Sequence, residues 1–475
     1  MSSVRAWWSM MVVIFIALLS SSSPALVSAA NPTFSQPLVV SDPVQCYDGG
    51  QKKLCGYVQN ATCKCPAYPT AAGGTDGFYG LDANATQMMG LYNQLGNQGN
   101  ELTFTSDGGK SWKLKKFVDW YAAFNWNLYP VTVEGGKQAR RNFGAISQGS
   151  FRSTDPSVGS YTDRSWTGKK SATFSFDSSG ELQMSVTGAV TVGPLPQAVN
   201  NTNGPKGSGC APQFYGGPIR LGDGSLLGTI GVYWSADDPL SPTPDGPYHR
   251  MSIVAVHSTD GFNWQYKGAV ANATGEGGYP TSIFGPDEND IAVLGDGKTL
   301  ICVIRMDGDA GCSTNSYRYY AAMYSRDDGA SWSRAVPIPG AGCARPRLLK
   351  LAGGPLILSG GRLCVEKTDD ISIWVNKDGM AGAATGGPGK WTKHSVSYWH
   401  NAKWAGPTMG HSEENTSWSY LFDSQINNSN AFATLAYTSL IPAGDREFVV
   451  IYQKFFSPHY WPPWPQATFQ MRVRV

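Results

Sequence analysis

The residues of this chain that most readily suggest chemistry are carboxylates set among hydroxyls and indoles. TSDGGKSW at 105–112 and SRDDGASW at 325–332 place a hydroxyl residue, an Asp, a Gly and a Trp at matching positions. A shorter version, STDGFNW, covers 258–264, with weaker echoes in SFDSSG at 175–180 and NKDG at 376–379. A lone Asp in such a setting could serve as an acid or base. Repetition points elsewhere, because one active site has no use for several copies of one turn. Asp107, Asp260 and Asp327 therefore read as turn formers. Their carboxylates and the neighbouring hydroxyls fold onto nearby backbone amides, and Gly takes the left-handed position. Metal chemistry finds no support. His249, His257, His394, His400, His411 and His459 show no ligand spacing. Cys46, Cys55, Cys63 and Cys65 lack paired CxxC spacing and have no nearby His. No metal and no cofactor are expected.

The elements that hold these turns repeat as well. Each acidic turn follows a β-like run: NELTF, SATF, MSIVAVH, YYAAMY and ISIWV. A second repeat interleaves with the first. PIRLGDGSLLGTIGVYW from Pro218, DIAVLGDGKTLICVIR from Asp290 and RPRLLKLAGGPLILSGGR from Arg345 each read as strand, tight turn and apolar strand. Hairpin, loop, strand, acidic turn, strand makes a four-stranded antiparallel unit, and its closed form is a β-propeller. The expected fold is all-β: a six-bladed propeller of four-stranded blades, at roughly 35–112, 113–200, 210–268, 278–336, 342–398 and 403–475. The last segment, ATFQMRVRV, is placed to close the ring with the N-terminal part.

Composition agrees. In 475 residues there are 56 Gly and 30 Pro, with 12% aromatic and only 15% charged residues, which suits short strands and tight turns over long amphipathic helices. A net charge of +2 announces neither nucleic acid nor an anionic membrane, so any anionic ligand must be met by local arginines. Residues 1–30 read as a signal peptide: Arg5, an apolar run from Trp7 to Leu19, then VSAA before Asn31. A signal anchor is the alternative; no stable membrane span is expected in the mature chain, residues 31–475. Sequons at Asn60, Asn84, Asn200, Asn272, Asn415 and Asn427 fit a secreted or lumenal protein, and a monomer is expected. Nine cysteines in an oxidising compartment should mostly pair, with one left over.

With the blades in place, the acidic turns resemble the Asp-box repeat of several propeller families. The succession GPDENDIAVLGDGKTLICVIR, ARPRLLKL…LILSGGR and AYTSLIPAGDREFVVIYQKF resembles the sialidase (neuraminidase) superfamily over roughly Tyr215 to Phe455. That resemblance implies a retaining glycosidase with a tyrosine nucleophile, acting on sialylated or other acidic glycans. It assigns Tyr437 in AYTSL as nucleophile, Glu288 in GPDEND as its base, and Arg305 and Arg362 as substrate-carboxylate ligands. Asp287, Asp290 and Asp307 neighbour this set without a role. Arg345, Arg347 and Arg220 read as structural or rim residues, each able to replace a missing arginine. The family's first-blade arginine has no counterpart, because no arginine stands between Arg5 and Arg140. Asp76 is the candidate general acid. The competing readings are a catalytically impaired propeller that binds glycans or proteins, and a propeller glycosidase or lyase for another acidic sugar.

Overall fold

The computed structural model describes residues 31–41, 47–48, 63–64, 77–92, 101–116, 127–132, 141–146, 159–161, 164–168, 171–187, 189–197, 213–234, 251–272, 286–306, 320–342, 345–363, 368–404, 413, 437–455 and 466–475. These form an all-β propeller of small, mainly antiparallel sheets. In chain order, the first sheet holds Phe78–Gly80, Met88–Tyr92, Glu101–Thr105 and Lys113–Lys116, and the second Asn127–Thr132, Arg141–Ile146, Ser171–Phe176 and Leu182–Thr187. The third holds Gln213–Arg220, Leu226–Tyr233, Met251–Ser258 and Asn263–Ala271. The fourth holds Pro286–Val293, Leu300–Met306, Ala321–Ser325 and Val336–Pro337. Arg347–Lys350, Leu356–Leu363, Thr368–Asn376 and Thr392–Ser395 make the fifth, and Thr438–Gly444, Glu447–Phe455 and Gln466–Arg474 the core of the last.

Uniform four-stranded units do not hold. The last sheet has five strands, because Thr33–Phe34 and Leu38–Ser41 both pair with Gln466–Arg474. The N-terminal residues therefore belong with the C-terminal strand, and the first sheet begins at Phe78 instead of near residue 35. The third sheet reaches seven strands. Val190–Val192 joins Asn263–Ala271 in parallel and carries Trp166–Gly168 and Gly159–Tyr161 beyond it. Strands of three residues are too short to show a periodicity, which is why the sequence repeats miss them.

Strands covered on both faces should be mostly apolar and buried, and they are. Met251–Ser258 is buried except at His257, and Ala321–Ser325 is buried along its whole length. Neighbouring sheets pack through these faces. Leu227, Ile253 and Ala255 of the third meet Cys302, Ile304 and Met323 of the fourth. Ile301, Val303 and Tyr320 of the fourth meet Leu356, Leu358 and Trp374 of the fifth. Phe78 and Met88 of the first meet Ile441 and Val449 of the last, whose other face packs on the fifth. First strands lie side by side, Gln213–Arg220 next to Pro286–Val293, then Arg347–Lys350, Thr438–Gly444 and Phe78–Gly80. Burial of apolar surface at these faces is the main stabilising term, at about 25 cal/mol per Å².

The acidic turns join outer strands and are built as turns. Asp327 accepts from the Ser331 amide at 2.9 Å, the Ser331 hydroxyl at 2.5 Å and the Ser325 hydroxyl at 2.8 Å. Trp332 Nε1 donates back to the Gly329 carbonyl at 3.1 Å, and Gly329 sits at φ +88°. Asp107 and Asp260 repeat the pattern with Thr105, Ser111, Ser258 and Asn263. Both oxygens of each of these carboxylates accept bonds from its own turn, which marks them as holding the turns.

Candidate active site

Four first strands bring their N-terminal ends to one region. Glu288 lies near the start of Pro286–Val293, and Tyr437 immediately precedes Thr438–Gly444. Arg345 stands two residues before Arg347–Lys350, and Tyr215 lies near the start of Gln213–Arg220. Arg305 reaches the same end from the far end of Leu300–Met306, the antiparallel partner of Glu288's strand. Pairing there is irregular. Pro286 faces Met306 and Asn289 faces Ile304, so Asp287 and Glu288 together stand opposite Arg305. Such a bulge re-aims a side chain that a regular pleat would direct elsewhere.

The result is a compact polar triangle. The Tyr437 hydroxyl donates to Glu288 Oε1 at 2.6 Å. Arg305 Nη1 donates to Glu288 Oε2 at 2.6 Å and to the Tyr437 oxygen at 3.3 Å. The Glu288 and Arg305 side chains keep 14% and 16% of their surface. Tyr437 is 8% exposed. Burial pushes the Glu288 carboxyl up, but the Arg305 and Arg345 guanidinium charges and the Tyr437 hydrogen bond outweigh it, holding that carboxyl below its usual range. Glu288 is therefore an ionised acceptor already engaged with the phenol proton. Such a pair can transfer that proton and leave a phenolate beside a cation.

Arg345, which motif reasoning left among structural or rim residues, is a further cation whose charge reaches Glu288. It is 1% exposed, and its Nη2 donates to the Tyr215 carbonyl at 2.6 Å, with the guanidinium 5.6 Å from the Tyr215 ring centre. Its charge nevertheless acts on Glu288. The signal available in the sequence was positional: ARPRL places Arg345 just ahead of a first strand, as AYTSL places Tyr437. Arg362 falls in Leu356–Leu363, at an irregularity between Gly361 and Leu363, and its side chain lies outside the described residues, as does that of Asp287. Asp76 and Asp307 lie wholly outside them. Arg220 is exposed and donates to the Gly224 carbonyl in its own hairpin turn. Among the described residues no group of His, Cys, Asp or Glu could hold a metal ion, and no helix is long and apolar enough to cross a membrane. Among them Cys302 is a free, buried thiol.

No family model matches this chain, and no curated protein matches it. Solved propeller structures resemble it at low identity. A Dyadobacter fermentans protein of unknown function aligns with TM-score 0.49 and 14% identity, over 86% of this chain and 97% of that one. The Hadza microbial sialidase Hz136 aligns with TM-score 0.45 and 12% identity, over 88% and 70%. Trypanosoma rangeli sialidase aligns with TM-score 0.44 and 12% identity, over 94% of this chain and 58% of that one. At such identities none of these matches bears on a residue of the site. The case for the site rests on its own geometry.

Proposed function

We propose that this chain is a secreted, sialidase-like retaining glycoside hydrolase that removes terminal sialic or related acidic sugars from glycoconjugates. The observation that carries this reading is the Tyr437–Glu288–Arg305 triangle, with a 2.6 Å phenol–carboxylate hydrogen bond at its centre. A sugar with a carboxylate on its anomeric carbon repels a carboxylate nucleophile, whereas a phenol approaches as a neutral group and passes its proton to the neighbouring base as its oxygen bonds to carbon. In the first step Glu288 takes the phenol proton, the Tyr437 oxygen bonds to the anomeric carbon, and the aglycone oxygen leaves with a proton from the general acid. In the second step water attacks the same carbon and Tyr437 leaves, recovering its proton from Glu288. The water's proton passes to the conjugate base of the acid.

Arg305 belongs to the cationic wall that meets the substrate carboxylate, and Arg362 remains a candidate for it. Asp76 is assigned as general acid. In sequence it precedes Phe78–Gly80 by two residues, the offset at which Arg345 precedes its own first strand. The same reading takes residues 1–30 as a cleaved signal peptide. It also takes the ring as six-bladed.

One observation favours a second reading, a glycan-binding propeller without turnover. No arginine stands between Arg5 and Arg140 to complete the carboxylate grip from the first sheet. Turnover of a fluorogenic sialoside by the purified protein and by Tyr437→Phe separates the two. The hydrolase reading expects wild-type turnover and its loss in the variant by about a thousandfold or more. Sialoside binding without turnover across pH 4 to 8 would establish the second reading instead.

A further inference from the structure

Glu288 sits in a bulge, and a bulge is a soft place for a catalytic group unless something fixes it. The next two residues are buried polar side chains directed sideways into neighbouring sheets. Asn289 is fully buried, and its Oδ1 accepts the Thr229 hydroxyl of the third sheet at 2.5 Å. Asp290 reaches further. Its Oδ1 accepts the Gly217 amide of the third sheet at 3.0 Å and its own Ile291 amide at 3.0 Å. Its Oδ2 accepts the Leu348 amide of the fifth sheet at 2.8 Å. One carboxylate thus fastens the first strands of three consecutive sheets.

The facing backbone is shaped to receive it. Gly217 lies at φ +72°, and a Cβ on Gly216 would come within 2.9 Å of both Asn289 Oδ1 and Asp290 Cα. Only a residue without a side chain lets Gln213–Arg220 approach this closely. The fastening is closed from the opposite side by Arg345, which leads into the fifth sheet and grips the Tyr215 carbonyl of the third. A strand held on both flanks two residues from Glu288 leaves the bulge little freedom.

We propose that Asp290 is a positioning residue that fixes the Glu288–Tyr437 geometry by clamping the first strands of the third and fifth sheets to Pro286–Val293. The consequence for catalysis rests on the hydrolase reading above, whereas the clamp itself does not. Asp290→Asn keeps the shape but turns one acceptor oxygen into a donor facing an amide donor. Gly216→Ala crowds the same contact from the other strand. Asp296→Asn is the control, in the turn at the far end of the same hairpin, where Asp296 bonds only the Lys298 and Thr299 amides and the Thr299 hydroxyl among the described residues.

The test compares full-length variants by melting temperature, by kcat and KM for a fluorogenic sialoside, and by NMR titration of the Tyr437 phenol, assigned with Tyr437→Phe. Among the described residues, the charged groups facing that phenol are Glu288 and Arg305, with Arg345 acting through Glu288. Asp290→Asn and Gly216→Ala are expected to lower kcat by about tenfold or more with KM changed less than about threefold, since a 1 Å misplacement suffices for such a loss. Both should move the Tyr437 titration midpoint by about half a pH unit or more. Asp296→Asn, even where it lowers the melting temperature as much, should do neither. The proposal is overturned if kcat and the Tyr437 midpoint in Asp290→Asn match the control. Should wild type show no turnover, the hydrolase reading fails, and the Tyr437 midpoint alone decides the clamp.

Discussion

At the residue scale, what marks Tyr437 is its partner. A phenol hydrogen-bonded to a carboxylate that two guanidinium charges keep ionised is prepared for proton loss. This has a pH signature. Glu288 acts as base only when ionised, and its carboxyl is held below the ordinary value of 4.5, so the acid limb of activity should lie below that value. The same depression stabilises the fold above the carboxyl's unfolded-state value, and this contribution is lost as pH falls through the folded one. Arg345→Gln removes one of the two charges, so the carboxyl rises and the acid limb of kcat/KM moves to higher pH. A pH–rate profile of the variant checks the direction. Glu288, Arg305 and Tyr437 were singled out in the sequence because the motifs that carry them resemble those of sialidases, and the structure brings the three side chains together. Arg345 was not, because its action on Glu288 depends on two sheets meeting, which no local pattern records.

At the element scale, the acidic turns and the bulged hairpin divide the work. The turns were the most visible feature of the sequence and were correctly read as turn formers: their carboxylates are consumed by their own Ser, Thr and amide neighbours. Asp327→Ala removes three hydrogen bonds from an exposed turn and should destabilise the protein by about 1–3 kcal/mol while leaving kcat unchanged, as thermal unfolding and the sialoside assay would show. Asp290, by contrast, was noted only as a neighbour of the site. Its importance comes from amides at Gly217 and Leu348, 73 and 58 residues away along the chain. A sequence motif carries side-chain types, but not which backbone groups will face them.

At the scale of the whole molecule, ring closure joins the two ends of the described chain. Gln466–Arg474 lies between Glu447–Phe455 on one side and the N-terminal pairs Thr33–Phe34 and Leu38–Ser41 on the other. The sequence hinted at this closure, because ATFQMRVRV reads as a strand that can pair with the N-terminal part. The regular repeat could not foretell the five- and seven-stranded sheets, because their extra strands are short and come from outside the repeat. A chain ending at residue 465 loses the strand that Thr33–Phe34 and Glu447–Phe455 both use. It should show no cooperative unfolding transition in urea, where the full chain shows a single one.

The central claim is that Tyr437 carries the sugar during turnover. A 3-fluorinated sialosyl fluoride, which slows breakdown of a glycosyl-enzyme more than its formation, allows that claim to be read by mass spectrometry. The account predicts one added sialosyl unit on the wild-type protein, mapped to Tyr437 after digestion and absent from Tyr437→Phe. An adduct on any other residue, or sialoside turnover that survives in Tyr437→Phe, would contradict it.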